Sequence, residues 1–143
     1  MPKIITIELK KGHPDGSIDL PYGGHSKAWK GDFVVWTIKK NSGIKCIEGI
    51  VQKGGVNIFK SAPSANGADW TAEIDHNAPQ HAEYEYKIEW IDDAGSHLKT
   101  DPKISIEPMP LYLTEEKIFP ATLILGVIGL ITLGLFLKGK NRD

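Results

Sequence analysis

From Ile118 to Leu137 the chain reads IFPATLILGVIGLITLGLFL, 20 consecutive residues without a charge. An α-helix rises about 1.5 Å per residue, so such a run matches the roughly 30 Å of hydrocarbon in a bilayer. A helix buried in a soluble core usually runs shorter and keeps a polar stripe. The run therefore predicts a single-pass membrane span. It divides the chain into a domain over 1–108, a linker over 109–117, the span over 118–137 and a basic tail over 138–143.

Within the predicted span, Thr122, Gly126 and Gly129 fall at i, i+4 and i+7 and form one smooth stripe. Small residues let a second helix approach closely, which favours association where lipid gives helices no hydrophobic drive toward one another. The linker MPLYLTEEK carries Thr114 ahead of Glu115 and Glu116, a helix-start pattern, and Tyr112 and Phe119 suit an interfacial aromatic belt. The first twenty residues lack the apolar stretch of a signal peptide, so the expectation is a tail-anchored protein. Orientation signals conflict. Lys138, Lys140 and Arg142 after the span outnumber Lys103 and Lys117 before it, which favours a cytoplasmic tail, whereas exporting a folded domain calls for a leader. The second consideration places the domain in the cytoplasm, with a periplasmic domain as the alternative.

Charge narrows the function. Residues 1–117 carry 14 Lys against 17 Asp and Glu, and the only arginine of the chain is Arg142 in the tail. The domain thus lacks the guanidinium fork that readers of phosphate and bases favour, and there is no Gly-rich phosphate loop; nucleic acid is not an expected partner. A single cysteine, Cys46, excludes an internal disulfide.

The domain reads as strands and turns. In IITIELK, Ile5, Ile7 and Leu9 alternate with Thr6, Glu8 and Lys10. FVVWTIKK reads as a strand buried on both faces near its start, and KCIEGIV, NIFK and DWTAEI as further short strands. HPDG and PYGG mark turns. The clearest alternation is AEYEYKIEW, which points Ala82, Tyr84, Tyr86, Ile88 and Trp90 one way and Glu83, Glu85, Lys87 and Glu89 the other. KISIE pairs with it after the loop IDDAGSHLKTDP. No helical period precedes residue 113, so the reading is an all-β, antiparallel Greek-key sandwich.

The segments Gly31-Asp32-Phe33-Val34-Val35-Trp36, Phe59 with Pro63, Trp70 to Ile74, Tyr84 to Ile88 and Asp101 to Ile106 together resemble the cupredoxin-like sandwich over most of residues 4–107. A copper-binding member needs two imidazoles and a thiolate, usually with a weak axial thioether, drawn largely from the loop after the penultimate strand. Here that loop offers His97 but neither Cys nor Met, while Cys46 and Met109 lie elsewhere. The resemblance therefore implies a copper-free branch with no cofactor.

Other candidates read more simply as scaffold. His76 and His81, beside Asp75, are two ligands where a metal needs three or four. His13, His25 and His97 stand in turn-like contexts, and Asp92-Asp93 suits a hairpin turn. Cys46, within β residues, reads as a packed side chain. Two or three of the four tryptophans belong to the core, whereas Trp29 in HSKAWKGD is a candidate partner contact, as is the outward row Glu83, Glu85, Lys87 and Glu89. These features point to a non-enzymatic accessory subunit of a larger membrane complex, with lipid and other membrane subunits as partners. The resemblance implies a respiratory or photosynthetic electron-transport setting. The alternatives are a tethered metal or redox protein using His76, His81 or His97, and a ligand-binding module.

Overall fold

Alternating side chains broken by Gly, Pro and Asn become strands in the computed structural model, which describes residues 2–108. Among these residues the order is β1 (Ile4–Leu9), β2 (Lys11–Gly12), β3 (Ile18–Asp19), β4 (His25–Ala28), β5 (Phe33–Ile38), β6 (Ile44–Gly55), β7 (Ser64–Asn66), β8 (Asp69–Glu73), β9 (Glu83–Asp92), β10 (His97–Thr100) and β11 (Lys103–Ile106). The described residues contain no α-helix, only a one-turn 3-10 segment at Pro21–Gly24. The domain is all-β, as its sequence predicts.

Two sheets share one core. The smaller has the order β1-β5-β8-β7. In the larger, β6 runs along one edge of β9, while β10 and β11 divide the other edge between them and β4 lies beyond β11. Pro102 explains the division. It has no N–H for the ladder, so a strand that would otherwise run continuously from His97 to Ile106 breaks at Asp101-Pro102.

The expected purely antiparallel pairing is corrected at two places: β1 runs parallel to β5 and β4 parallel to β11. The cause is the crossover at residues 29–32. There β4 of the larger sheet turns into β5 of the smaller, so each strand finds its neighbour from a distant part of the chain. Gly31 takes the left-handed conformation that this turn needs (φ 86°).

The core forms from one face of each strand. Tyr84, Tyr86, Ile88 and Trp90 of β9 are all buried, as their spacing predicts, together with Ile104 and Ile106 of β11. Val34 and Trp36 of β5 are fully buried, but Phe33 is exposed and Val35 half-buried. The expectation that β5 is buried on both faces is thereby corrected: of its far-face residues Phe33, Val35 and Thr37, none is buried. NIFK forms no strand. It contributes one isolated bridge, Phe59 to Ile74, yet Ile58 and Phe59 are both core. Each large side chain removed from water in this way contributes roughly 1.5–3 kcal/mol of transfer free energy.

Four aromatic rings form the centre of that core. Phe59 meets Tyr84 edge-on at 4.8 Å, Trp36 lies 6.0 Å from Phe59 and 5.9 Å from Tyr86, and Tyr84 stacks on Tyr86 at 5.3 Å. The indole N–H of Trp36 donates to the Tyr86 hydroxyl at 3.1 Å, so the buried indole donor is satisfied inside. Burial pushes the Tyr84 phenol up to about 12 and holds Tyr86 above the usual phenol range; for Tyr86 the Trp36 bond acts in the opposite direction.

Candidate functional site

The outer face of the larger sheet carries most of the residues singled out by sequence. Glu83, Glu85, Lys87 and Glu89 do point outward along β9, since their neighbours at every second position are core. Glu83 and Glu89 are paired within the sheet, and Glu85 has no ion-pair partner among the described residues. Lys87 Nζ lies 3.2 Å from Glu89 Oε2, and Lys103 Nζ lies 3.6 Å from Glu83 Oε1. A Cβ placed on Gly49 or Gly54 of β6 would stand 2.9 Å from a carboxylate oxygen of Glu89 or Glu85, so these glycines let the two side chains lie flat across the strand. Partly exposed pairs of this kind contribute at most about 1 kcal/mol each.

His25, Ser105 and Glu83 meet on the same face. His25 is in β4, not in a turn, and its Nε2 lies 2.6 Å from Ser105 Oγ, which in turn lies 3.4 Å from Glu83 Oε2. A nucleophilic serine needs the imidazole between hydroxyl and carboxylate. Here the hydroxyl stands between the other two, closer to the imidazole than to the carboxylate. The arrangement ties β4, β11 and β9 together.

The loop around His97 is shorter than its sequence suggests. IDDAGSHLKTDP is a turn only over its first half: Asp92 Oδ1 accepts from the backbone N–H groups of Ala94 and Ser96, and His97 opens β10. Its Nδ1 lies 2.8 Å from Glu48 Oε1 of β6, while the imidazole remains largely exposed to water. His76 and His81 stand at the opposite end of the sandwich, because β9 runs from Glu83 beside His81 to Asp92 beside His97. His76 Nε2 is 3.7 Å from Glu73 Oε2, and His13 Nε2 is 3.0 Å from Asp19 Oδ1. The three histidines of the metal reading therefore do not converge, and no group of three or more metal-ligating side chains is found among the described residues.

The end of the sandwich at the last hairpin is packed with indole. Trp90 Nε1 donates to the Gly16 carbonyl at 3.0 Å, and a Cβ on Gly12 would stand 2.6 Å from the Trp90 ring, so the 12–16 loop closes directly over it. Cys46 lies opposite Ile91 on β9 and is half-buried. Trp29 is half-buried too, with Lys3 Nζ 4.2 Å above its ring. As a candidate contact it already has one cation over one face.

Sequence reasoning passed over Asp32. This carboxylate is 1% exposed and accepts from Lys3 N at 3.2 Å and Trp29 N at 2.9 Å, joining the start of β1 to the crossover turn. The Gly31-Asp32 pair was its only sequence signal. Thr122, Gly126 and Gly129, with the predicted span, lie outside the described residues, and no helix among the described ones is long and apolar enough to cross a membrane. Compared with known proteins, the chain matches no family model, and no curated protein matches its sequence.

Proposed function

We propose that this chain is a non-catalytic accessory subunit of a membrane protein complex: a copper-free, cupredoxin-like Greek-key sandwich held at the bilayer by one C-terminal helix over 118–137. One observation carries the reading. The polar side chains that could do chemistry are engaged in holding strands together, as in His25–Ser105–Glu83, His97–Glu48 and the Asp32 carboxylate on two backbone amides. The chain beyond the domain adds a 20-residue uncharged run whose Thr122, Gly126 and Gly129 stripe suits packing against another helix. An electron-transport assembly is the setting that the family resemblance suggests.

The test is isolation of the tagged full chain from its own membranes in mild detergent. The reading expects partner subunits in fixed stoichiometry; a monodisperse monomer carrying tightly bound copper or zinc would overturn it in favour of a tethered metal protein.

A further inference from the structure

The smaller sheet ends on β1, and this edge differs from the others of the two sheets, among them the four-residue β10. β4 and β7 are edges of four and three residues, and β6 is broken by register shifts at Ile44/Cys46, Ile47/Gly49 and Gln52/Gly54. Short and bulged edges resist pairing with another chain. β1 has six residues, IITIEL, in unbroken register with β5 and without a proline.

The direction of its free groups follows from the ladder. Phe33 N donates to Lys3 O and Lys39 N to Leu9 O, so the odd-numbered residues of β1 bond to β5 and the even-numbered ones turn their N–H and C=O outward. Lys10 shows the consequence, since its outward N–H is taken by the Asp19 carbonyl at 2.9 Å. Ile4, Thr6 and Glu8 come next along that edge, and none has a backbone partner there among the described residues.

The side chains beside this edge are also unusual. Ile4 is 68% exposed and sits opposite Phe33, itself 43% exposed; a shallow groove of about 360 Å³ runs on from Phe33 past Ala62 and Thr71. Glu8 has no ion-pair partner among the described residues, whereas Glu83 and Glu89 of the larger sheet each face a lysine.

We propose that the free edge of β1 is a strand-addition site for an extended segment of a partner subunit. The occupant's backbone bonds to Ile4, Thr6 and Glu8, its outward side chains alternate, and it places an apolar residue near Ile4 and Phe33 and a lysine or arginine near Glu8. This deepens the accessory-subunit reading and rests on it.

Two substitutions test it in the full chain isolated from native membranes. Thr6→Pro deletes an outward N–H without removing a bond to β5, and Glu8→Lys reverses the charge offered to the occupant. Each is expected to lower partner retention at least tenfold with an unchanged urea midpoint, and a photo-cross-linker at position 6 is expected to capture a partner subunit that one at position 85 does not. Partner retention at the unsubstituted level in both variants overturns the edge site while leaving the accessory-subunit reading in place. A cross-linked dimer of this chain alone likewise overturns it. Absence of any partner from the unsubstituted chain overturns both.

Discussion

Replacing Asp32 with alanine deletes a fully buried carboxylate whose two oxygens each hold a backbone N–H, that of Lys3 at 3.2 Å and that of Trp29 at 2.9 Å. A hydrogen bond to a charged acceptor contributes about 1.5–3 kcal/mol, and the Lys3 bond is long enough to sit at the low end. Against the loss stands the desolvation cost of the carboxylate, which vanishes with it. The balance is a destabilisation of about 3 kcal/mol. Asp32→Asn keeps the shape and one acceptor but turns an NH2 toward one of the two donors, so it falls between wild type and alanine at about 1–2 kcal/mol. Urea unfolding of the full chain in detergent, followed by tryptophan fluorescence, reads these effects through the buried Trp36 and Trp90. With a slope near 1.5 kcal/mol per molar, the alanine midpoint drops by about 2 M at unchanged slope. A drop below about 0.5 M, or asparagine costing more than alanine, would refute the role assigned to this carboxylate.

Three further outcomes follow from the same geometry. The unfolded chain releases tyrosine protons near the usual phenol value, whereas Tyr84 holds its proton to about 12 and Tyr86 beyond, so stability falls as pH rises above about 10; unfolding midpoints measured from pH 8 to 11 should decline, and less steeply in Tyr86→Phe. Gly55→Ala would drive a Cβ into the Glu83 carbonyl oxygen at φ 70°, whereas Gly67→Ala meets nothing within 4 Å at φ 66°; thermal melts should show the first losing several-fold more stability than the second, which carries only the left-handed backbone cost of about 1 kcal/mol. His97→Ala removes an exposed partner of Glu48 and should shift the urea midpoint by less than about 1 kcal/mol equivalent, with unchanged metal content by mass spectrometry.

The alternation in β9 was legible because one of its faces is core along the whole strand, and the period of two records that directly. Phe33 and Val35 looked like core because β-branched and aromatic residues were read by type, while their burial depends on whether a layer covers the smaller sheet. His97 was hidden for a different reason: Pro102 and Asp101 suggested loop, yet four residues before them suffice to pair with β9. The parallel pairings of β1 and β4 arise from crossovers between sheets, which leave no local periodicity. Of the proposed contacts, the outward direction of Glu83, Glu85, Lys87 and Glu89 was readable, but the pairing of Glu83 with Lys103 and the room for Glu89 and Glu85 over Gly49 and Gly54 required the register of three strands.

The measurement that bears most directly on the central claim is the size of the species containing this chain in native membranes gently solubilised and resolved on a native gel. The account predicts one band far above the 15.8 kDa of the chain with its detergent, falling toward the monomer when Gly126 and Gly129 are both replaced by leucine. Migration of the unsubstituted chain as a monomer, unaffected by those replacements, would contradict it.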